Sequence, residues 1–243
     1  MSVQYETLAN PALYREAFGV EVPQPLPGAQ VWPRRPGVFI RAAATPTALT
    51  EPKALAAPSA FPDAASPLVR EALVGQLGLV PKWVKSASDA KLRSTKLVNA
   101  RQETVTTATA FRGAWLAGQR CIVPMQAFQE EDYRSGRPVP TRVARVDGRA
   151  MGVAGLWECW EDPQGASIVS FCLLTVNANS HALIRRYQQP GAEKRMLAVL
   201  NEGSFEAWLQ ARPDKAKAFL RPYAAERLTA NPIEKGRPAL RST

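Results

Sequence analysis

Apolar residues fall at helical spacing in two well-bounded stretches. Leu13, Ala17 and Phe18 follow Asn10 and Pro11 and stop at Gly19. A capping side chain, a proline in the first turn and a glycine at the end predict a short helix. Residues 110–117 repeat the pattern, with Gly118 placed to end it. Elsewhere the period is two. Residues 1–5 alternate like a strand, and residues 37–41, 76–81 and 121–123 are short apolar strands. The back half resembles a meander. Residues 141–146 alternate, Asp147-Gly148 signals a type I′ hairpin, and residues 150–157 return. A turn at 161–165 leads into a strand at 168–175, and 196–200 is another. Ser204 is placed to cap a helix whose Phe205, Trp208 and Leu209 share one face, which puts Trp208 in the core. Residues 214–220 predict one or two further helical turns.

Three segments lack such periodicity. Residues 22–67 are rich in proline and alanine, and 42–67 predict an extended surface insertion. Residues 177–194 are irregular and polar, and Arg185, Arg186, Lys194 and Arg195 make this the most basic stretch of the back half. Residues 226–243 predict a loosely held tail. The meander implies antiparallel sheet. A length of 243 residues suits one large domain or two small ones.

With 46% hydrophobic residues the chain can bury a real core. Lys and Arg number 31 against 21 Asp and Glu, a net charge of +10, which favours approach to a polyanion. Cys121, Cys159 and Cys172 lie far apart in apolar runs, there is no Cys-x-x-Cys, and His181 is the only histidine. A zinc site is therefore not expected, the thiols are expected buried and reduced, and His181 is expected to be structural. No Gly-rich phosphate loop, Gly-x-Ser-x-Gly or His-Glu-x-x-His is present, so neither cofactor nor metal is expected. With no signal peptide and no bilayer-length apolar run, the expectation is a soluble, cytoplasmic monomer with no membrane partner.

Candidate chemistry centres on residues 97–130. Asn99, Arg101 and Glu103 sit near one end, and Phe128 and Glu130 at the other, with a helix and a strand between to brace them. An amide, a guanidinium fork and a carboxylate facing one pocket would suit a phosphate or sugar ligand and a proton transfer. A buried Arg–Glu pair beside a capping asparagine explains the same residues. Trp83, beside Lys82 and Lys85, is either a core plug or a platform on which a base stacks. The basic, aromatic turn from Trp32 to Gly37 suits a nucleic-acid backbone or simple packing. Ser2 would carry a free amine if Met1 were removed, or mark an ordinary start.

Six motifs in order then resemble one family. They are Gly78-Leu79-Val80-Pro81-Lys82-Trp83, Leu97-Val98-Asn99-Ala100-Arg101-Gln102-Glu103-Thr104, and Phe111-Arg112 with Cys121-Ile122-Val123-Pro124 and Phe128-Gln129-Glu130. Ala154-Gly155-Leu156-Trp157, Thr175-Val176-Asn177-Ala178-Asn179 and Pro190-Gly191-Ala192-Glu193-Lys194-Arg195-Met196 follow. The chain resembles the SRAP family, the SOS response-associated peptidase domain of abasic-site processing proteins, over most of residues 1–210. The resemblance implies a single α+β domain, residues 1–225, with a largely antiparallel β core and short flanking helices. It implies single-stranded DNA carrying abasic sites as partner. It also implies a cysteine exposed by loss of Met1, whose amine and thiol close a thiazolidine on the sugar aldehyde. Asn99 and Arg101 would hold the DNA, with Trp83, Lys82 and Arg186 as further contacts. Glu130 would move protons, and a histidine before the Arg-Met pair would assist ring opening.

The chain departs from that pattern. Ser2 stands where the family has cysteine, Gln188 falls where the loop histidine is expected, and Gln129 and Glu131 flank Glu130 in place of an aromatic. An α-amine with a pKa near ~8 still has a neutral fraction at pH 7. Ser2 can thus form an imine, but its hydroxyl is a far weaker nucleophile than a thiolate. Gln188 cannot shuttle a proton. The expectation is DNA binding with imine chemistry or weak lyase activity and no durable crosslink. The alternative is a non-covalent single-strand binder. A peptidase acting on other proteins finds no Ser-His-Asp arrangement to support it.

Overall fold

The computed structural model describes residues 4–43, 68–162 and 164–233. Ser2, nearly all of the 42–67 insertion and residues 234–243 lie outside that set. The chain opens with β1 (Tyr5–Glu6) and α1 (Pro11–Phe18). Asn10 accepts the Leu13 amide at 3.3 Å, and Gly19 takes the left-handed φ of +65° that ends the helix. Then come β2 (Gln30–Val31), β3 (Pro36–Ala42), β4 (Arg70–Leu77), α2 (Ala87–Ser94), β5 (Asn99–Arg101) and α3 (Thr109–Leu116). β6 (Arg120–Met125), β7 (Ala127–Asp132) and β8 (Val139–Arg145) lead to the long strands β9 (Met151–Glu161) and β10 (Ser167–Asn177). β11 (Arg195–Leu197), β12 (Val199–Leu200), α4 (Phe205–Gln210), α5 (Pro213–Ala216) and β13 (Leu228–Pro232) complete the order.

Among the described residues the strands form two sheets. The smaller runs β13-β8-β7-β1-β2 and is antiparallel throughout. In the larger, β10, β4, β3, β6 and β9 close into a ring, because β9 also pairs with β10. Closure leaves these strands without an open edge. Its pairings are antiparallel except for β10 with β4 and with β5. A continuous core joins the two sheets, from Tyr5, Phe128 and Val143 to Phe39, Ile122, Leu156 and Phe171. This is a single α+β domain with a largely antiparallel β core and short helices. No helix among the described residues is long and apolar enough to cross a membrane.

Several local expectations change. Asp147-Gly148 does not make a hairpin: β8 pairs with β7 and β13, whereas β9 pairs with β6, β10 and β12. A type I′ turn needs positive φ at both central residues, and only Gly148 has it. The Asp147 carboxylate instead takes the Arg149 amide and pairs with Arg145, so the turn hands the chain from one sheet to the other. The strand expected at 76–81 is over by Leu77. Gly78, at φ +110°, presses its Cα against the Ser94 carbonyl, where a Cβ would come within 2.1 Å. α2 was not legible, since its sequence is polar and buries only Ala90 and Ser94; Ser86 caps it through the Asp89 amide. Leu228–Pro232, expected in a loose tail, is a strand on β8. Only Leu228 of that strand is buried, so it left no alternation to see. Cys121 and Cys172 are buried as expected, but Cys159 is half-exposed.

Candidate functional site

Strand pairing sets Gln4 and Tyr5 alongside the strand that carries Glu130. Tyr5 lies opposite Phe128, and the Gln129 amide donates to the Gln4 carbonyl at 3.1 Å. β1 is antiparallel to β7, so from Glu6 back to Gln4 it runs along β7 in the direction of Glu130. The two-residue period places Glu130 on the same inward face as Phe128, and it is only 4% exposed. Ser2 itself lies outside the described residues.

The irregular 177–194 segment reaches the same place. The Gln188 amide donates to the Glu131 carbonyl at 2.7 Å. Gln188 holds a φ of +67°, rare for a residue with a side chain. Its buried carboxamide donates to the Arg195 carbonyl at 2.5 Å and accepts the Arg195 amide at 3.1 Å, as a neighbouring strand would. Both ends of that side chain are therefore engaged in holding β11 against the loop.

Arg195 is the centre of a charged corner. At 2% exposure, its guanidinium donates to both Glu103 oxygens at 3.0 and 2.9 Å, to Glu193 at 2.9 Å and to the Thr175 carbonyl at 2.8 Å. Glu193 also accepts from Asn177 at 2.9 Å and from Arg101 at 2.8 Å. Burial alone would raise the Glu103 carboxyl, but the Arg195 bonds and charge prevail and hold it below the ordinary value of 4.5. Hydrogen bonds from Arg195 and Asn177 do the same for Glu193. Burial would weaken the Arg195 guanidinium as an acid-base partner, yet the two carboxylates raise its pKa. Arg101 stays half exposed on β5, with Asn99 two residues earlier opposite Leu173. Arg186 is exposed in the short turn Ile184–Arg186.

His181 is structural. Its Nδ1 accepts the Leu183 and Ile184 amides at 3.3 and 3.0 Å, so Nε2 carries the proton and donates to the Tyr223 carbonyl at 2.7 Å. Among the described residues no group of three or more His, Cys, Asp or Glu side chains could hold a metal.

Lys82 and Trp83 form a second cluster with α2 and α3. Trp83 is 44% exposed and not a core plug; its Nε1 donates to the Thr109 carbonyl at 3.2 Å, and the Arg93 guanidinium lies 4.8 Å from its ring centre. Lys82 pairs with Glu158 at 3.5 Å. No hydrogen bond or ion pair among the described residues joins this cluster to the Arg195 corner. Sequence reasoning missed Glu103, Glu193 and Arg195 as one unit. The signal was there in Glu193-Lys194-Arg195, two charges of opposite sign at period two entering a strand, but their partner Glu103 is 92 residues away.

A family model described as SOS response associated peptidase (SRAP) matches residues 1–236. A crystal structure of a protein from Bordetella bronchiseptica has a TM-score of 0.81 at 35% identity, covering 96% of this chain and 100% of that one. The abasic site processing protein YoqW of Bacillus subtilis is 29% identical over 157 residues, 63% of this chain and 65% of YoqW. The abasic site processing protein HMCES of Gallus gallus is 25% identical over 179 residues, 64% of this chain and 50% of HMCES. The chain thus spans just under two thirds of YoqW and half of HMCES.

Proposed function

The chain belongs to the SOS response associated peptidase family, and from that footing we propose that it processes abasic sites in DNA. The observation that carries the reading is the convergence of three segments: the start of β1, inward-facing Glu130, and the Gln188 loop bonded to Glu131. From Gln4, two residues of chain reach at most ~7 Å further, and the proposal puts the Ser2 amine at Glu130.

In this proposal Met1 is removed and DNA lies along Arg101, Asn99 and Arg186. A backbone phosphate takes the place of Glu193 on Arg101, a half-exposed pair that solvent already weakens. The neutral Ser2 amine adds to the C1′ aldehyde of the opened sugar. Glu130 takes the proton released from nitrogen and returns it to the departing hydroxyl, so that water leaves and an imine forms. The imine acidifies the C2′ proton, whose removal expels the 3′ phosphate as a weak lyase step. The Ser2 hydroxyl closes the second ring poorly, so the adduct reverses. Gln188 positions β11 and carries no proton.

Borohydride trapping tests this. The protein with a single strand bearing one abasic site is expected to give a reduced adduct on a denaturing gel, and Glu130→Gln to slow its appearance by about 10²–10⁴. A wild type and a Ser2→Cys variant that both fail to trap would remove the covalent reading. Mass spectrometry showing Met1 retained would close the Ser2 amine route. Salt-sensitive binding of the same strand without trapping would leave the non-covalent reading, which the engagement of the Gln188 carboxamide by Arg195 favours.

A further inference from the structure

A cavity of about 130 Å³ opens beside Trp83, in the cluster separate from the Arg195 corner. One wall is the Lys82-Trp83 turn and another the small-residue face of α3, including Gly113; Glu158 of β9 and Gln119 close it. Two acceptors behind its lining accept no hydrogen bond. Glu158 is 3% exposed, yet among the described residues its Oε1 accepts no hydrogen bond. Lys82 Nζ stands 3.5 Å away, an ion pair too long for a good one. The buried Gln119 Oε1 likewise has no partner. Buried acceptors are normally satisfied, so a pair left open in one cavity points to a donor that arrives from outside.

An exocyclic amine of a nucleobase has the matching chemistry, two hydrogens on one nitrogen at the edge of a flat ring. Cytosine N4 carries them, whereas thymine presents an acceptor, O4, at the same position. The volume equals about four waters at ~30 Å³ each, room for one ring and not for a whole nucleotide. Trp83 offers an exposed ring, pinned by Thr109 and Arg93. Lys82, whose side chain is 67% exposed, can turn from Glu158 to the phosphate of the same nucleotide. The net charge of +10 favours a strand of DNA over a lysine-bearing peptide as the source of the donor. We propose that this cavity takes a cytosine base from single-stranded DNA and gives the protein a base preference. The inference rests on the DNA-binding reading above.

The test is fluorescence anisotropy with dT12 and dC12, neither carrying an abasic site, at pH 7.5. The wild type is expected to bind dC12 about tenfold more tightly, the scale of a good direct base contact. Gly113→Leu adds bulk at a residue that lines the cavity, and no atom lies within 4 Å of the added Cβ. It is expected to abolish the preference while leaving dT12 binding, which also reports that the variant folds. Glu158→Leu removes an acceptor and is expected to abolish the preference as well. Equal wild-type affinity for the two strands overturns the cavity's role and leaves DNA binding standing. A preference that survives both variants assigns it elsewhere and also overturns it. No binding to either strand overturns the DNA reading together with this one.

Discussion

Two arginines are almost fully buried among the described residues, and they are solvated in opposite ways. Arg195, 2% exposed, meets two carboxylates and a backbone carbonyl. Arg120, 3% exposed, meets no carboxylate among the described residues. It has one long bond, 3.4 Å, to the Trp115 carbonyl, and its guanidinium lies 5.6 and 5.8 Å from the ring centres of Trp115 and Trp208. The pKa values follow: paired carboxylates raise that of Arg195, and burial lowers that of Arg120. Burial alone therefore does not tell what a charged residue does. Arg195 fixes the place of the groups around it, tying β5, β10 and the loop before β11 into one corner. Arg120 fills a gap between aromatic rings with a flat cation.

The largest effect that would break this contrast is Arg195→Met. It leaves Glu103 without its cation and Glu193 with Arg101 alone, and is expected to cost about 3 kcal/mol in denaturant unfolding, the low end for a broken buried pair because both carboxylates are partly exposed. Acid comes next. Glu103 and Glu193 have folded pKa values below their unfolded ones, so their contribution is complete above the ordinary carboxylate value of 4.5 and is lost as pH falls through the depressed folded values. Asp147, held down to about 2 by Arg145, titrates last. The thermal midpoint is expected to fall between pH 5 and pH 3, and to fall less in Arg195→Met; equal slopes in both proteins would show that the corner is not what acid dissolves. Arg120→Met should be the smallest, within about 1 kcal/mol of wild type and on the stabilising side, because a desolvated cation without a carboxylate gives way to an apolar chain. A loss as large as that of Arg195→Met would erase the distinction.

Local signals in the sequence were reliable where the physics is local. Asn10, Pro11 and Gly19 delimited α1, and Phe205, Trp208 and Leu209 fixed the buried face of α4. They failed where partners decide. A strand on either side of Asp147-Gly148 was correctly read, but not that the two would enter different sheets. The candidate residues behaved similarly. Glu130 lies on the strand that Gln4 and Tyr5 pair with, and Arg101 follows Asn99 on β5. Gln188 turned out to have its side chain occupied by Arg195, and Lys82 and Trp83 to belong to a different cluster.

By itself the sequence determined the residue types, their order and the short-range geometry. Period and caps set the helices and strands, and the motif series set the family, because both are written within a few residues of chain. Only the tertiary structure decided which charges meet. Glu103 reaches Arg195 across 92 residues, and β1 reaches β7 across more than a hundred, through closure of the sheets around one core. It also decided which buried acceptors stay open, since a carboxylate is satisfied or not by neighbours that no local pattern names.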